Sequence, residues 1–126
     1  MKEVYFKPDG GALRAKAIFP QSTIAPVNYE IILREAGSNN TISLLQGDNL
    51  NPEDDVASLP FTPDLLHGRR VILDATYVGL NPVQSPGYRI RLEIWQDKAC
   101  LGFVEETGVL TGKGQYTILF IRLLAS

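Results

Sequence analysis

The sequence predicts an all-β protein, mainly antiparallel, that folds as a single β-sandwich of about eight strands with Greek-key or jelly-roll-like connections. Three observations support this fold class. Short apolar–polar alternations recur along the chain, glycine- and proline-containing turns separate them, and one hairpin sorts its side chains by face. A closed β-barrel is the alternative.

Length and composition bound the class of protein. The chain has 126 residues, 44% of them hydrophobic, which predicts one domain over residues 1–126. The formal charge of −2 indicates neither nucleic acid nor an anionic membrane as a partner. Cys100 is the only cysteine, so an intrachain disulfide is impossible. No signal peptide and no membrane-length apolar segment is visible; the compartment is unknown, with the cytoplasm favoured.

The first half of the chain contains four candidate strands, at residues 3–7, 12–19, 28–35 and 41–45. The turn Pro8-Asp9-Gly10-Gly11 favours pairing of the first two strands as a hairpin, because glycine supplies the positive φ that tight turns need. Alternation predicts which residues share the buried faces of the second and third strands. They are Leu13, Ala15, Ala17, Phe19, Tyr29, Ile31 and Leu33.

The segment 46–69 breaks the β pattern and predicts one or two short helices. Asn51 can cap the first helix with Pro52 at its first position, and Val56, Ala57 and Leu59 then form its apolar side. A second single turn is expected over residues 62–67. Thr62 would cap it, Pro63 would occupy its first position and Gly68 would end it.

The second half predicts four more strands, at residues 70–78, 88–95, 100–106 and 115–124. Residues 88–106 form a hairpin around the turn Gln96-Asp97-Lys98-Ala99, with the polar positions of its first arm on one face. The expected register places Trp95 opposite Cys100. The pairs expected beyond that point are Ile94–Leu101, Leu92–Phe103, Ile90–Glu105 and Arg89–Glu106.

The last strand is apolar on both faces, which predicts that both faces are covered. Leu119, Ile121 and Leu123 share one face, and we expect Ile72 of another strand to add to the same surface. The segment 51–67 or another subunit could cover them. These four residues are therefore the candidate protein interface.

Trp95 is the candidate ligand contact, together with Arg89, Arg91 and Glu93 on the same face of the hairpin. An aromatic side chain on a polar face can stack on a sugar ring or anchor a protein partner. The alternative is that Trp95 packs with Cys100 over a second small core.

No catalytic residue, metal site or cofactor is predicted. The acidic residues that follow Asp48 lack EF-hand spacing, and Gly108–Gly114 is one residue short of a phosphate-binding loop. His67 and Cys100 are residue types that a cysteine hydrolase pairs, but each has a structural explanation. His67 is expected at a helix end, and Cys100 is expected in a strand opposite Trp95.

The leading functional hypothesis is a non-catalytic binding or assembly module that contacts a protein partner or a second copy through a sheet face. The first alternative is a carbohydrate- or calcium-binding sandwich that uses loops 46–69 and 79–87. The second is a small carboxylate-dependent enzyme; whether the chain is an enzyme stays open, with the negative answer favoured. The identity of any small-molecule ligand is unknown.

Overall fold

Nine strands and one 3₁₀ turn form the regular structure in the computed structural model, which describes residues 2–18, 27–35, 37, 40–48, 55–77, 87–109 and 116–126. In chain order they are β1 (Lys2–Phe6), β2 (Leu13–Ile18), β3 (Val27–Arg34), β4 (Thr41–Asp48), β5 (Asp55–Ser58), η1 (Pro63–Leu65), β6 (Arg70–Tyr77), β7 (Gly87–Gln96), β8 (Ala99–Val109) and β9 (Tyr116–Ala125).

The strands form two sheets that pack face to face, which confirms the sandwich. A five-stranded sheet has the order β1-β9-β6-β3-β4, and a four-stranded sheet has the order β5-β2-β7-β8. All pairings are antiparallel except that of β1 with β9, which is parallel. Only β3–β4 and β7–β8 are hairpins of consecutive described strands. The described strands do not close into the alternative barrel.

The core lies between the two sheets and is built by side-chain alternation. Leu13, Ala15 and Ala17 of β2 are at most 1% exposed, and Ile90, Leu92 and Ile94 of β7 are fully buried. Opposite them lie the buried residues of the five-stranded sheet, namely Val4, Phe6, Tyr29, Ile31, Leu33, Val71, Leu73, Ala75, Leu119, Ile121 and Leu123. The predicted inward faces of β2 and β3 are confirmed, except that Phe19 lies outside the described residues.

The expected β1–β2 hairpin is wrong, because the chain crosses from one sheet to the other between these strands. β1 pairs with β9, whereas β2 lies between β5 and β7. The turn that joins them docks on Gln96, whose side chain is 3% exposed. The Lys7 backbone N–H donates to Gln96 Oε1 at 3.0 Å, and Gln96 Nε2 donates to the carbonyls of Lys7 at 2.8 Å and Gly11 at 2.9 Å.

Close backbone approach at this crossing explains one of its glycines. A Cβ on Gly10 would lie 2.6 Å from Gln96 Nε2, so a larger residue would displace the amide. Beside it, the Gly11 N–H donates to Asp97 Oδ2 at 3.1 Å. The β7–β8 turn therefore holds the β1–β2 turn, and through it the two sheets are linked at this end.

The first predicted helix of segment 46–69 is also wrong, because residues 55–58 form β5. Val56 and Ser58 are exposed while Ala57 and Leu59 are buried, which is the two-residue period of a strand. β5 pairs with β2, and the Leu59 N–H donates to the Leu13 carbonyl at 2.9 Å. Pairing with the free edge of β2 therefore outweighs the helix-start signals of the sequence. Residues 51–54, which belong to those signals, lie outside the described part of the chain.

The second predicted turn is confirmed as η1. Thr62 occupies the cap position and Pro63 the first position of the turn, and Gly68 follows with φ of 82°. Thr62 makes no side-chain capping hydrogen bond. Pro63 and Leu66 are buried, so this turn closes one end of the core.

The register of the long hairpin is correct at Trp95–Cys100 and wrong beyond it. A bulge shifts the pairing between Ile94 and Trp95, so that Ile94 lies opposite Gly102, Leu92 opposite Val104 and Arg91 opposite Glu105. A Cβ on Gly102 would lie 2.9 Å from Val4 Cγ2. The close approach of β1 therefore requires glycine at this inward position, and the bulge supplies it by making Leu101 the extra residue.

We predict that Gln96→Ala lowers the free energy of unfolding by about 2–3 kcal/mol, because it removes three hydrogen bonds to part-buried backbone groups of Lys7 and Gly11. Urea denaturation followed by circular dichroism measures the change. Gln46→Ala is the matched control, because Gln46 is exposed; its effect should stay below about 1 kcal/mol. Equal effects of the two substitutions would contradict the role of Gln96 in linking the sheets.

Candidate functional site

The predicted ligand contacts do share the outer face of the four-stranded sheet, but three of them are bound to one another. The Trp95 indole N–H donates to Glu93 Oε1 at 2.8 Å, and Arg91 Nε lies 2.7 Å from Glu93 Oε2. The Glu93 side chain is only 8% exposed. Arg91 also lies over the Phe103 ring, 3.6 Å from its centroid. This network fixes the indole ring and leaves Glu93 inaccessible to a ligand.

Glu105 takes the place that the expected register assigned to Glu106. It forms an ion pair with Arg89 and lies with its Oε2 3.4 Å from Arg91 Nη1. The hydrogen bond from Arg89, with the charges of both arginines, holds the pKa of Glu105 below its usual value. The bulge at Leu101 is the cause, because it rotates Glu105 onto the outer face beside the arginines.

The predicted interface residues of β9 lie in the core. Leu119 is 5% exposed, and Ile121 and Leu123 are fully buried. The four-stranded sheet of the same chain covers them, so neither a helix nor a subunit is needed. Ile72 points to the opposite side of the five-stranded sheet and is 4% exposed. The interface hypothesis for Leu119, Ile121 and Leu123 is therefore wrong.

The outer face of the five-stranded sheet carries side chains in three parallel rows. Direct cross-strand partners on β9, β6 and β3 define them. The arginine row consists of Arg122, Arg70 and Arg34; the apolar row consists of Phe120, Ile72 and Ile32; the acidic row consists of Asp74 and Glu30, with Ile118 beside Asp74. Along each strand, neighbouring rows are two residues apart.

The arginine row concentrates positive charge. Directly opposed side chains lie about 4.5–5.5 Å apart at their Cβ atoms, and like charges in this arrangement destabilise a sheet. Among the residues that the structure describes, no carboxylate lies within ion-pair distance of Arg34, Arg70 or Arg122. The Nε atom of Arg34 is buried and has no hydrogen-bond partner there. Glu3 of β1 lies directly opposite Arg122 at one end of the row, but no ion pair joins these two described residues. The row therefore keeps a net positive charge, which is concentrated at Arg70 and Arg34.

Other apolar side chains on the same outer face are more exposed than the apolar row. Tyr116 is 67% exposed, Tyr5 59% and Ile118 39%, and all three lie on this outer face. Ile72, between its cross-strand partners Phe120 and Ile32, is 4% exposed and contributes little to the accessible area. Within the described part of the chain, no second layer of strands covers this face.

The acidic row is held by side chains of β4. Glu30 Oε2 accepts hydrogen bonds from Ser43 Oγ at 2.8 Å and from Gln46 Nε2 at 2.7 Å. Both hydrogen bonds lower the pKa of Glu30 from 4.5, and the bond from Gln46 is the larger cause. Glu30 therefore stays anionic in mildly acidic solution. Asp74 lies directly opposite it on β6.

Sequence reasoning missed these rows. Each row joins residues from three strands, so it exists only once the strand order and register are known. In the sequence, Arg70 belongs to the Arg69-Arg70 pair and Arg122 is a single charge within an apolar strand, and nothing relates the two. The rows can be recognised only when the pairing of β6 with both β3 and β9 is known.

Other predicted features have different outcomes. His67 Nδ1 accepts the Ala125 N–H at 3.0 Å, whereas Cys100 is exposed on the other sheet, opposite Trp95. No group of three or more His, Cys, Asp or Glu comes together in the described ranges. Residues 49–54 and 78–86, which belong to the loops of the carbohydrate or calcium hypothesis, lie outside those ranges.

Comparison with known proteins found no match to a family model, a curated protein or a solved structure. Where the structure describes the chain, it contains no helix with the length and hydropathy needed to cross a membrane. Function therefore has to be inferred from the residues of the chain itself.

We predict that Gln46→Ala raises the pKa of Glu30 toward 4.5, because it removes the largest cause of the lowered value. A ¹³C NMR titration of the carboxyl groups measures this pKa. Ser43→Ala should have the same sign and a smaller size, because its bond is the second cause. A Glu30 pKa unchanged by either substitution would show that β4 does not stabilise the acidic row.

Proposed function

We propose that this chain is a non-catalytic assembly module that pairs with a second copy through the outer face of its five-stranded sheet. The observation that supports this most strongly is the order of the rows: arginine, apolar, acidic. A surface with this order is complementary to itself in one orientation. A symmetric dimer uses the same surface on both copies, so self-complementarity is what such an interface needs.

The orientation follows from the row order. A two-fold axis along the apolar row turns one sheet face onto the other and reverses the strand direction. The arginine row of each copy then lies over the acidic row of its partner. An axis along the strands would instead stack arginine row on arginine row, which like-charge repulsion disfavours. Charge therefore selects one of the two symmetric arrangements.

Two charge pairs result, and each occurs twice in the dimer. Arg70 of one copy meets Asp74 of the other, and Arg34 meets Glu30. The partner carboxylates supply what the arginine row lacks within the described chain.

The apolar side chains supply the burial. Phe120 stacks on its own counterpart along the axis, and Tyr5 of one copy approaches Tyr116 of the other. With strands about 4.8 Å apart and about 3.3 Å per residue, the face covers roughly 600 Å² per copy. The total of about 1,200 Å² reaches the small end of stable interfaces. We therefore expect a reversible dimer.

We predict that Arg70→Glu and Asp74→Lys each weaken self-association by at least about tenfold, because each places like charges together twice. Mixing the two variants should restore dimers, because every charge pair in the mixed dimer is again complementary. Sedimentation equilibrium of each variant and of the 1:1 mixture measures this. Arg14→Glu, on the other sheet, is the control and should dimerise as the unaltered chain does.

Two results would contradict the proposal. One is an unaltered chain that stays monomeric at millimolar concentration. The other is a mixture that associates no better than its components. Misfolding does not explain a failure of the single variants if mixing rescues them. Arg70→Glu should also raise the stability of the monomer, since it places a carboxylate between two arginines.

A further inference from the structure

A second surface feature lies on the four-stranded sheet, away from the proposed dimer face. A cleft of about 200 Å³ opens beside Trp95. The described residues that line it are Arg14, Lys16, Val56, Trp95 and Lys98. Three of these five are basic and none is acidic.

The β2–β7 register brings two of the basic residues to the cleft. Arg14 lies directly opposite Trp95, and Lys16 follows two residues later on the same face. Both point outward because Leu13, Ala15 and Ala17 between and beside them are buried in the core. Arg14 and Lys16 therefore stand on a rigid strand, which favours a site of defined geometry.

Lys98 reaches the cleft from the β7–β8 turn. Its φ is 67° and that of Asp97 is 50°, the left-handed conformation that two-residue hairpin turns require. Glycine would adopt this conformation without the steric strain that most other residues bear. The Asp97 carboxylate accepts the hydrogen bond from the Gly11 N–H, which explains an aspartate at this position. Lys98 contributes a third cation to the cleft.

The indole ring is fixed and one of its faces is taken. Its N–H is bound to Glu93, and Lys16 Nζ lies 5.3 Å from the ring centroid. A sugar ring would compete with this ammonium group for the same face. The cleft therefore offers positive charge first and aromatic surface second, which favours an anion over a neutral sugar.

We propose that this cleft binds a phosphate or sulfate monoester. The Arg14 guanidinium can hold two oxygens of the oxyanion at once, and the lysines add point charges around it. Val56, 47% exposed at the cleft wall, contacts the apolar part of the ester. The site is on the opposite sheet from the dimer face, so it does not depend on the proposed function.

Trp95 is the only tryptophan of the chain, so its fluorescence reports on the cleft directly. Inorganic phosphate and sulfate are titrated at constant ionic strength and pH, with acetate as a weaker anion. We expect a saturable change with phosphate and sulfate. Arg14→Gln and Lys98→Gln should weaken binding at least fivefold. Lys7→Gln, an exposed lysine outside the cleft, should leave it unchanged.

Glucose 6-phosphate, glucose 6-sulfate and glucose then separate the sources of the charge. Binding of either charged sugar, with no response to glucose, supports the proposal and shows which ester is preferred. A response to glucose that equals those of the esters would overturn it in favour of a sugar site. A non-saturable change, or equal loss in the Lys7 control, would also overturn it. Repeating the titration with Arg70→Glu shows whether binding persists without the dimer.

Discussion

Alternation of side chains along β9 is the constraint on which the rest of the structure depends. This strand has apolar residues at both odd and even positions, but a two-layer sandwich has only one interior. Packing of Leu119, Ile121 and Leu123 against the four-stranded sheet sends Ile118 and Phe120 outward. The outer apolar row is therefore a direct consequence of burying the inner one.

The same register places charge on both sides of that row. Moving two residues along β6 in either direction from Ile72 leads to Arg70 or to Asp74. An isolated sheet gains nothing from three adjacent arginines, since their repulsion opposes the pairing that creates the row. A second copy turns this cost into attraction. The β7–β8 part of the four-stranded sheet differs, because Arg91, Glu93 and Glu105 form ion pairs with one another there.

Local alternation was enough to predict the sandwich and the buried faces of β2 and β3, and the residues Thr62, Pro63 and Gly68 were enough to predict the turn η1. Long-range competition decided the rest. β5 forms because β2 offers a free edge, although helix-start residues precede it. The bulge at Leu101 forms because Val4 lies over Gly102. Which side of β9 faces inward, and which charges align across strands, depends on strand order, and a single sequence does not reveal that order.

The symmetry of the dimer can be tested most directly by distance measurement. Ser43 of β4 lies at the end of the apolar row, opposite Ile32. Thr76 of β6 lies two rows away from the apolar row, on the far side of the acidic row. Both residues are exposed. Spin labels at Ser43→Cys, in a Cys100→Ser background, should approach to about 10–20 Å across the stacked sheets. Labels at Thr76→Cys should lie about 25–35 Å apart, since four rows then separate them. The reverse order of these two distances, or no dipolar coupling at either position, would contradict the account.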